Sequence, residues 1–436
     1  MYIERVEIAN FRGLVTKDSE GREQPYTELN FDRAFNVIIG VNGIGKTSIL
    51  DMLAILLGRM LPHIVPASTR KRSFIATDFR VADAEVVGRI WLDFDTDTVT
   101  YGVAQTVDLQ RKPLEDIDKR LIATLAGRYE KGKPLAPVNT PVALLYTTER
   151  AGYRLARKIV TMAPPGRAAA FQGALVEKTV NYGLVAQWLY KHRSLANESD
   201  RDRRILEATE TALQRFLPAF GELEEQIDPP RLFVKKRGVR LGIEQLSDGE
   251  RSFLAIVVDI ARHLAQANPG TDNPLATGEG VVLIDELELH LHPRWQRGVV
   301  ERLQATFPGV QFITTTHSPF VIQSLRAGQL INLDPESFVE EYADKSIDDI
   351  TEGIMGVEMP QKSERYLVMM ATAKEYYRTL AQAEEASGAA LEQLKTHLDE
   401  LTIPYSDDAA FTAFLKFQRE SALQEDATSN QRERPS

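Results

Sequence analysis

The order of three short segments constrains this chain more than any other feature. The first is a glycine-rich octet, Gly40-Val41-Asn42-Gly43-Ile44-Gly45-Lys46-Thr47, set between the apolar run Phe35 to Ile39 and a mostly apolar stretch, Thr47 to Met60. The second is Ser247-Asp248-Gly249-Glu250, far downstream. The third, Val281-Val282-Leu283-Ile284-Asp285-Glu286, is an apolar run ending in two acids. Strand, glycine loop and helix in that order are the setting a phosphate loop requires. Gly40 and Gly45 let backbone N–H groups turn inward around phosphate oxygens. A helix opening near Lys46 adds the positive end of its dipole. Lys46 is then expected on the β and γ phosphates, and Thr47 on Mg²⁺.

The run before Asp285 and Glu286 is too apolar for an exposed strand. Ligands of open α/β sheets sit off the carboxyl ends of such strands. Asp285 is expected to hold Mg²⁺, directly or through water, and Glu286 to polarise an attacking water, help worth about 10²–10⁴ in rate. Ser247 to Glu250 reads in two ways. Ser-x-x-Glu ahead of an apolar helix is a capping box, and a helix N-terminus carrying a Ser and a Gly is also an anion site. His317 follows the apolar run Gln311 to Thr315. If that strand lies beside the one carrying Glu286, His317 stands near the γ-phosphate. His290 and His292 show no third ligand, so loop geometry describes them better than a metal site.

With 436 residues, 43% of them hydrophobic, the chain has room for one large or two to three ordinary domains. The absence of cysteine excludes a disulfide framework and a thiolate metal site. No apolar run reaches the roughly 18 residues of a membrane span. Met1 to Arg5 lacks the layout of a signal peptide, so a cytoplasmic protein is expected. The net charge of −10 argues against simple coating of nucleic acid. The charge is uneven, however: residues 61–240 hold 29 Lys/Arg against 22 Asp/Glu, and the remainder 23 against 40. Arg70-Lys71-Arg72, Arg201 to Arg204 and Lys235-Lys236-Arg237 are the candidate surface if DNA is bound directly.

Ile3, Val6 and Ile8 suggest a half-buried strand. Val86 to Asp95, Val99 to Val107 and Pro141 to Tyr146 read as further strands, and 168–195 and 200–218 as helices, with Pro229-Pro230 as a break. Glu250 to Ala265 reads as an amphipathic helix. The expected division is an N-terminal ATPase part at 1–62, an insertion of strands and then helices at 63–232, and a C-terminal ATPase part at 233–335. A helical region for oligomer or partner contacts follows at 336–425 (helices near 363–386, 387–401 and 408–422), then a disordered tail at 426–436.

These segments resemble the ABC-type ATPases of the SMC, RecF and OLD group. The octet at 40–47 looks like their phosphate loop, with Asn42 where that group commonly has it. Asn10-Phe11-Arg12-Gly13 looks like the turn after their first strand. Leu246 to Glu250 is similar to their signature, Asp285-Glu286 to Walker B, Leu287 to Pro293 to the D-loop, and His317 to the switch histidine. A closer resemblance is to the bacterial family that includes PtuA, the ATPase of Septu-type and some retron anti-phage systems. It is carried by Leu246 to Arg251, Asp259 to Arg262, Ile284 to Gln296 and Thr306 to Pro319.

The resemblance implies an α/β, ABC-type P-loop fold with a mixed sheet, an insertion between Walker A and the signature, and ATP with Mg²⁺ as ligands. It implies contacts to ATP from Arg12, Gly40, Asn42, Gly43, Gly45, Lys46, Thr47 and Ser48, and from Ser247 and Gly249 of a second copy. Thr47 and Asp285 would hold the metal, and Glu286, His317 and Lys46 would carry hydrolysis. No Q-loop glutamine is found between Thr47 and Leu246. The expected function is a regulatory ATPase in phage defence, a homodimer or higher oligomer working with a separate nuclease, HNH-type if PtuA-like. Two alternatives remain: a RecF-like repair ATPase that binds DNA, and a scaffold that holds ATP without hydrolysing it.

Overall fold

The structure is a computed structural model. It describes residues 1–14, 26–64, 72–80, 85–94, 98–106, 111–112, 139–151, 170–171, 173–176, 179–268, 270–334, 342, 345–357, 361, 363, 366–373 and 396. Residues 1–356 form one compact unit and residues 357–436 a second. In the second unit residues 366–373 are helical. Thr396 is helical too, and apart from Ser363 the remaining residues of the three expected C-terminal helices, and the tail, lie outside the described residues.

The first strand, β1 (Tyr2–Ala9), buries Ile3, Val6 and Ile8. The step of three between Ile3 and Val6 breaks the alternation of a strand. A register shift between Ile3 and Arg5 absorbs the extra residue. After β2 (Thr27–Asn30) and β3 (Phe35–Ile39) comes α1 (Lys46–Ile64), whose Ile49, Leu50, Met52, Leu53, Leu56 and Leu57 are all buried. The helix is apolar almost all round because it lies between two sheets. On one side β4 (Glu85–Asp93), β5 (Thr98–Thr106) and β6 (Arg111–Lys112) extend an antiparallel sheet of order β2-β1-β4-β5-β6.

On the other side lies a parallel sheet. Its members are β7 (Val142–Tyr146), β11 (Gly280–Ile284), β12 (Val310–Thr315) and β13 (Leu330–Asn332), joined by β3 in the order β13-β3-β12-β11-β7. Strands β3, β7, β11 and β12 are buried at every position, as a parallel sheet covered on both faces demands. Gln311 ties the two sheets together: its Oε1 accepts Ile3 N–H at 2.7 Å and its Nε2 donates to Ile3 O at 2.8 Å. The segment 63–232 therefore supplies strands to both sheets, β4 beside β1 and β7 beside β11.

Between β7 and β11 the chain forms α2 (Tyr182–Leu195), α3 (Asp200–Phe216) and α4 (Asp248–Ala267). The helix expected over 168–195 begins only at Tyr182. Asn181 caps it by accepting from Gly183 and Leu184 N–H, and residues 173–176 are a turn in which Gly173 has φ 73°. Helix α4 has the amphipathic pattern expected but is buried nearly all round: Asp248, Arg251 and Gln266 alone escape burial. It packs on β7 and is covered in turn by α2 and α3.

Three strands between α3 and α4 were not anticipated: β8 (Phe220–Ile227), β9 (Pro230–Lys236) and β10 (Val239–Gly242). Pro229 sits in the turn between the first two, and Arg237-Gly238, both at positive φ (50° and 81°), joins the last two. Two positive φ values make a tight hairpin turn of the kind that follows strand twist. Helices α5 (Val299–Thr306) and α6 (Ile347–Gly353) follow, with short helical turns at Pro274–Thr277, Pro293–Gln296 and Pro319–Gln323.

Candidate nucleotide site

Strand β3 delivers the chain into the glycine loop, and α1 leaves it. Gly40, Gly43 and Gly45 have φ of 146°, 85° and 115°. The conformation at Gly45 requires glycine; a Cβ there would also lie 2.5 Å from Leu14 Cδ1, the end of a side chain that can give way. Lys46 opens α1 and is buried, with its ammonium folded back into the loop; Nζ donates to Gly40 O at 2.7 Å and Val41 O at 3.2 Å. Burial lowers its pKa, against the upward pull of Asp285, Glu286 and Glu288. Asn42, Gly43 and Thr47 are exposed at the mouth of the loop, and Ser48 is half-buried.

Asp285 follows β11 directly and is buried. Two hydroxyls converge on its carboxylate, Thr47 Oγ1 at 3.0 Å and Thr315 Oγ1 at 2.7 Å. Glu286 turns the chain at φ 48°, and its N–H donates to Thr315 Oγ1 at 2.7 Å. Its half-buried carboxylate has no hydrogen-bond donor among the described residues. Strands β11 and β12 are parallel neighbours, so Glu286 and His317 leave the same sheet edge side by side. The His317 ring is exposed. Its backbone N–H donates to Glu288 Oε1 at 2.5 Å, and the other oxygen of Glu288 accepts from Thr316 Oγ1 at 2.6 Å.

Thr47 and Asp285 offer hard oxygen donors, which suit Mg²⁺ rather than a soft metal. Among the described residues there is no group of three or more His, Cys, Asp or Glu placed to hold a metal. His292 Nδ1 accepts Arg294 N–H at 3.2 Å, and His290 has φ 65°: both serve the loop.

Ser247 caps α4. Its hydroxyl accepts from Glu250 N–H at 3.4 Å, and Glu250 Oε2 accepts from Ser247 N–H at 3.3 Å. Both are long, weak bonds. The acids of this segment are offset, Asp248 by Arg251 and Glu250 by Lys236. Gly249 packs where no side chain fits, since a Cβ would lie 2.4 Å from His290 O. Within one chain, then, Ser247 and Gly249 are engaged with their own surroundings. Arg12 is likewise engaged: it pairs with Asp51 at 2.7 Å and Asp78 at 2.9 Å. Arg72 also pairs with Asp51, whose pKa burial raises despite the two guanidinium groups.

The basic clusters are largely paired within the chain. Arg203 meets Asp200, Arg204 meets Asp272, Lys235 meets Glu222 and Glu224, and Lys236 meets Glu250. Arg70 and Lys71 lie outside the described residues.

One residue of the site was missed from the sequence. Arg150, in the short 3-10 turn after β7, is 1% exposed. Its guanidinium donates to Asp285 O at 2.5 Å and to Glu286 O. Burial lowers its pKa to about 10, with Glu288, Asp285 and Glu286 holding it up. Nothing local in Thr147-Thr148-Glu149-Arg150 announces a partner 135 residues away.

Among relatives, the chain is 48% identical over 122 residues to the retron Ec83 probable ATPase of Escherichia coli, covering 28% of this chain and 22% of that one. It is 39% identical over 165 residues to the retron Vc95 probable ATPase of Vibrio cholerae serotype O1 biovar El Tor, covering 36% and 32%. The matched part thus spans a third or less of either retron protein's length. The Septu protein PtuA of Bacillus thuringiensis is 22% identical over 355 residues, 76% of this chain and 81% of that one. Among solved structures, an Smc head bound to the C-winged helix domain of ScpA superposes with a TM-score of 0.44 at 17% identity, covering 76% of this chain and 94% of that one. By sequence the chain is an ATPase-type protein related to retron probable ATPases and to the Septu protein PtuA. Because residues 35–323 match the family described as "AAA domain, putative AbiEii toxin, Type IV TA system", the chain belongs to that family.

Proposed function

We propose that this chain hydrolyses ATP between two copies of itself and acts as the regulatory subunit of a phage-defence complex whose nuclease is a separate protein. One observation carries the reading: Thr47, Asp285 and Thr315 form a continuous hydrogen-bonded line from the phosphate loop to the next strand, with Glu286 at its end. Gly40, Asn42, Gly43, Gly45, Lys46, Thr47 and Ser48 would hold the triphosphate. Thr47 and Asp285 would hold Mg²⁺, which supplies charge neutralisation on the phosphate oxygens. Water attacks the γ-phosphorus, Glu286 accepts its proton, and the bond to the β–γ bridging oxygen breaks to leave ADP and phosphate. His317 and Lys46 stabilise the charge that develops on the γ-phosphoryl oxygens.

The second copy enters because the phosphate loop covers one side of a triphosphate only. The N-terminus of α4, with Ser247 and Gly249, is an anion site offered to another molecule. The defence role and the nuclease partner rest on the likeness to retron and Septu proteins. The cytoplasm is the place where such a substrate is met, and among the described residues no helix is long and apolar enough to cross a membrane. Direct DNA binding is the weaker reading, because the described basic clusters spend their charge on neighbouring acids.

Solution mass with and without ATP·Mg²⁺, measured on Glu286→Gln beside the hydrolysis rate of the wild type, tests the proposal. The expected result is wild-type turnover and an ATP-dependent doubling of mass. A wild type without turnover, or a mass indifferent to ATP, overturns it.

A further inference from the structure

Arg150 makes more hydrogen bonds than anchoring its own turn requires. Nε donates to Ser252 Oγ at 3.0 Å, and Nη1 to Thr147 O at 3.2 Å and Asp285 O at 2.5 Å. Nη2 donates to Glu286 O and to Leu287 O at 3.4 Å. Three separate elements therefore meet on one planar group: the turn after β7, the start of α4, and the loop after β11. Ser252 lies on α4 just past the Ser247-to-Glu250 segment. Asp285 to Leu287 are three successive residues whose carbonyls all point to the same guanidinium. The middle one, Glu286, has φ 48°, uncommon for a residue with a side chain.

The same turn is tied to α4 a second time. Tyr146 OH donates to Asp259 at 3.0 Å, and Tyr146 O accepts Asp285 N–H at 2.9 Å. The end of β7 is thus fastened to α4 on one side and to the Glu286 loop on the other. Arg150 is the charged member of that fastening, and it faces three acids, Asp285, Glu286 and Glu288. A lysine at 150 could not reproduce it, because an ammonium lacks the planar fork that spans three elements. All the donors of Arg150 point into the protein, so it does not touch nucleotide.

We propose that Arg150 is a positioning residue that couples the start of α4 to the backbone of Glu286. A phosphate received by Ser247 and Gly249 shifts α4, Ser252 carries the shift to Arg150, and Arg150 sets where the Glu286 carboxylate stands. The inference rests on the reading of Glu286 as the base and of α4 as the closing segment.

The test is a set of variants, Arg150→Lys, Ser252→Ala and each combined with Glu286→Gln. Steady-state turnover, binding of a fluorescent ATP analogue and melting temperature are read for each. A misplacement of about 1 Å in a catalytic group can cost roughly 10²-fold in rate. Arg150→Lys is therefore expected to lose about 100-fold in kcat with ATP affinity within about threefold of wild type. Ser252→Ala, which removes one hydrogen bond, is expected to lose about tenfold in kcat.

In the Glu286→Gln background neither change should slow turnover further, because the group they position is gone. A merely structural role would lower affinity and melting temperature, and would slow both backgrounds alike. The proposal is overturned if Arg150→Lys turns over within about threefold of wild type, or if it costs as much on top of Glu286→Gln. Should Arg150→Lys not fold, Ser252→Ala with and without Glu286→Gln decides on the same terms. A wild type without turnover would remove the ATPase reading beneath the proposal. A normal Arg150→Lys in an active wild type would remove this inference alone.

Discussion

The phosphate-loop side of the site and the signature side use the same local device, the N-terminus of a long helix, and finish it differently. Helix α1 opens with Lys46 and has no acid in its first turn. The loop before it presents three glycines at positive φ and no side-chain cap. Helix α4 opens with Asp248 and Glu250 in its first turn, and its Ser247 and Glu250 close a capping box on each other. The first end is left open for an anion. The second is satisfied by its own chain, through hydrogen bonds of 3.3 and 3.4 Å that a better ligand can displace. That asymmetry is expected if one end binds the chain's own nucleotide and the other waits for a second copy's.

Five substitutions break or sharpen the comparison. The largest effect is expected at Glu286→Gln: turnover falls by about 10²–10⁴ while ATP is still bound, as a radiolabelled phosphate-release assay beside a binding titration will show. Turnover at the wild-type rate would take the base away from Glu286. Next is Lys46→Ala, which removes the buried cation of the open end. Truncating one partner of a buried charge pair costs about 2–5 kcal/mol, so calorimetric ATP binding should weaken beyond easy detection. An affinity equal to wild type would mean that the glycine loop alone carries the triphosphate.

At the other end, Ser247→Arg should leave ATP binding at Lys46 intact and abolish ATP-dependent pairing, read as mass by light scattering. Ser247→Ala removes only the cap, worth about 1 kcal/mol, and should lower the melting temperature slightly. If Ser247→Arg pairs normally, the signature segment is a helix cap and nothing more.

Much of this arrangement was legible because its signals are local. The glycine loop, the acids after an apolar run, the spaced apolar residues of β1 and the all-round apolarity of α1 each declare themselves within a few residues. What the sequence hid was long-range. The β9–β10 hairpin went unread because it turns on Arg237-Gly238, and arginine is not a residue that advertises positive φ. Helix α4 looked amphipathic because Arg251, Asp259, Arg262 and His263 are polar. Three of these are buried together, Asp259 held below the ordinary carboxylate range by Arg262 and His263 although burial alone would raise it. Arg150 was invisible for the same reason: its partners come from β11 and α4, and only the fold brings them to it.

A partial effect is expected at Gly249, where the two ends are hardest to tell apart. A methyl group at this position would stand 2.4 Å from His290 O and 3.6 Å from the Trp295 ring. Since the first neighbour is backbone, the His290 segment has to move, at a cost of about 1–3 kcal/mol for such overpacking. That segment is continuous with Glu288, through Leu291 N–H on Glu288 O at 2.8 Å, and Glu288 holds the backbone of His317. Gly249→Ala should therefore melt earlier than wild type and lose a part of its turnover, with ATP affinity at Lys46 unchanged. A melting curve and a binding titration on the one variant separate the two roles of this glycine. An early melt with normal pairing makes Gly249 a packing residue of its own chain. A normal melt with lost pairing means that the His290 segment yields without cost, and that the space above Gly249 is kept for the phosphate of the other copy.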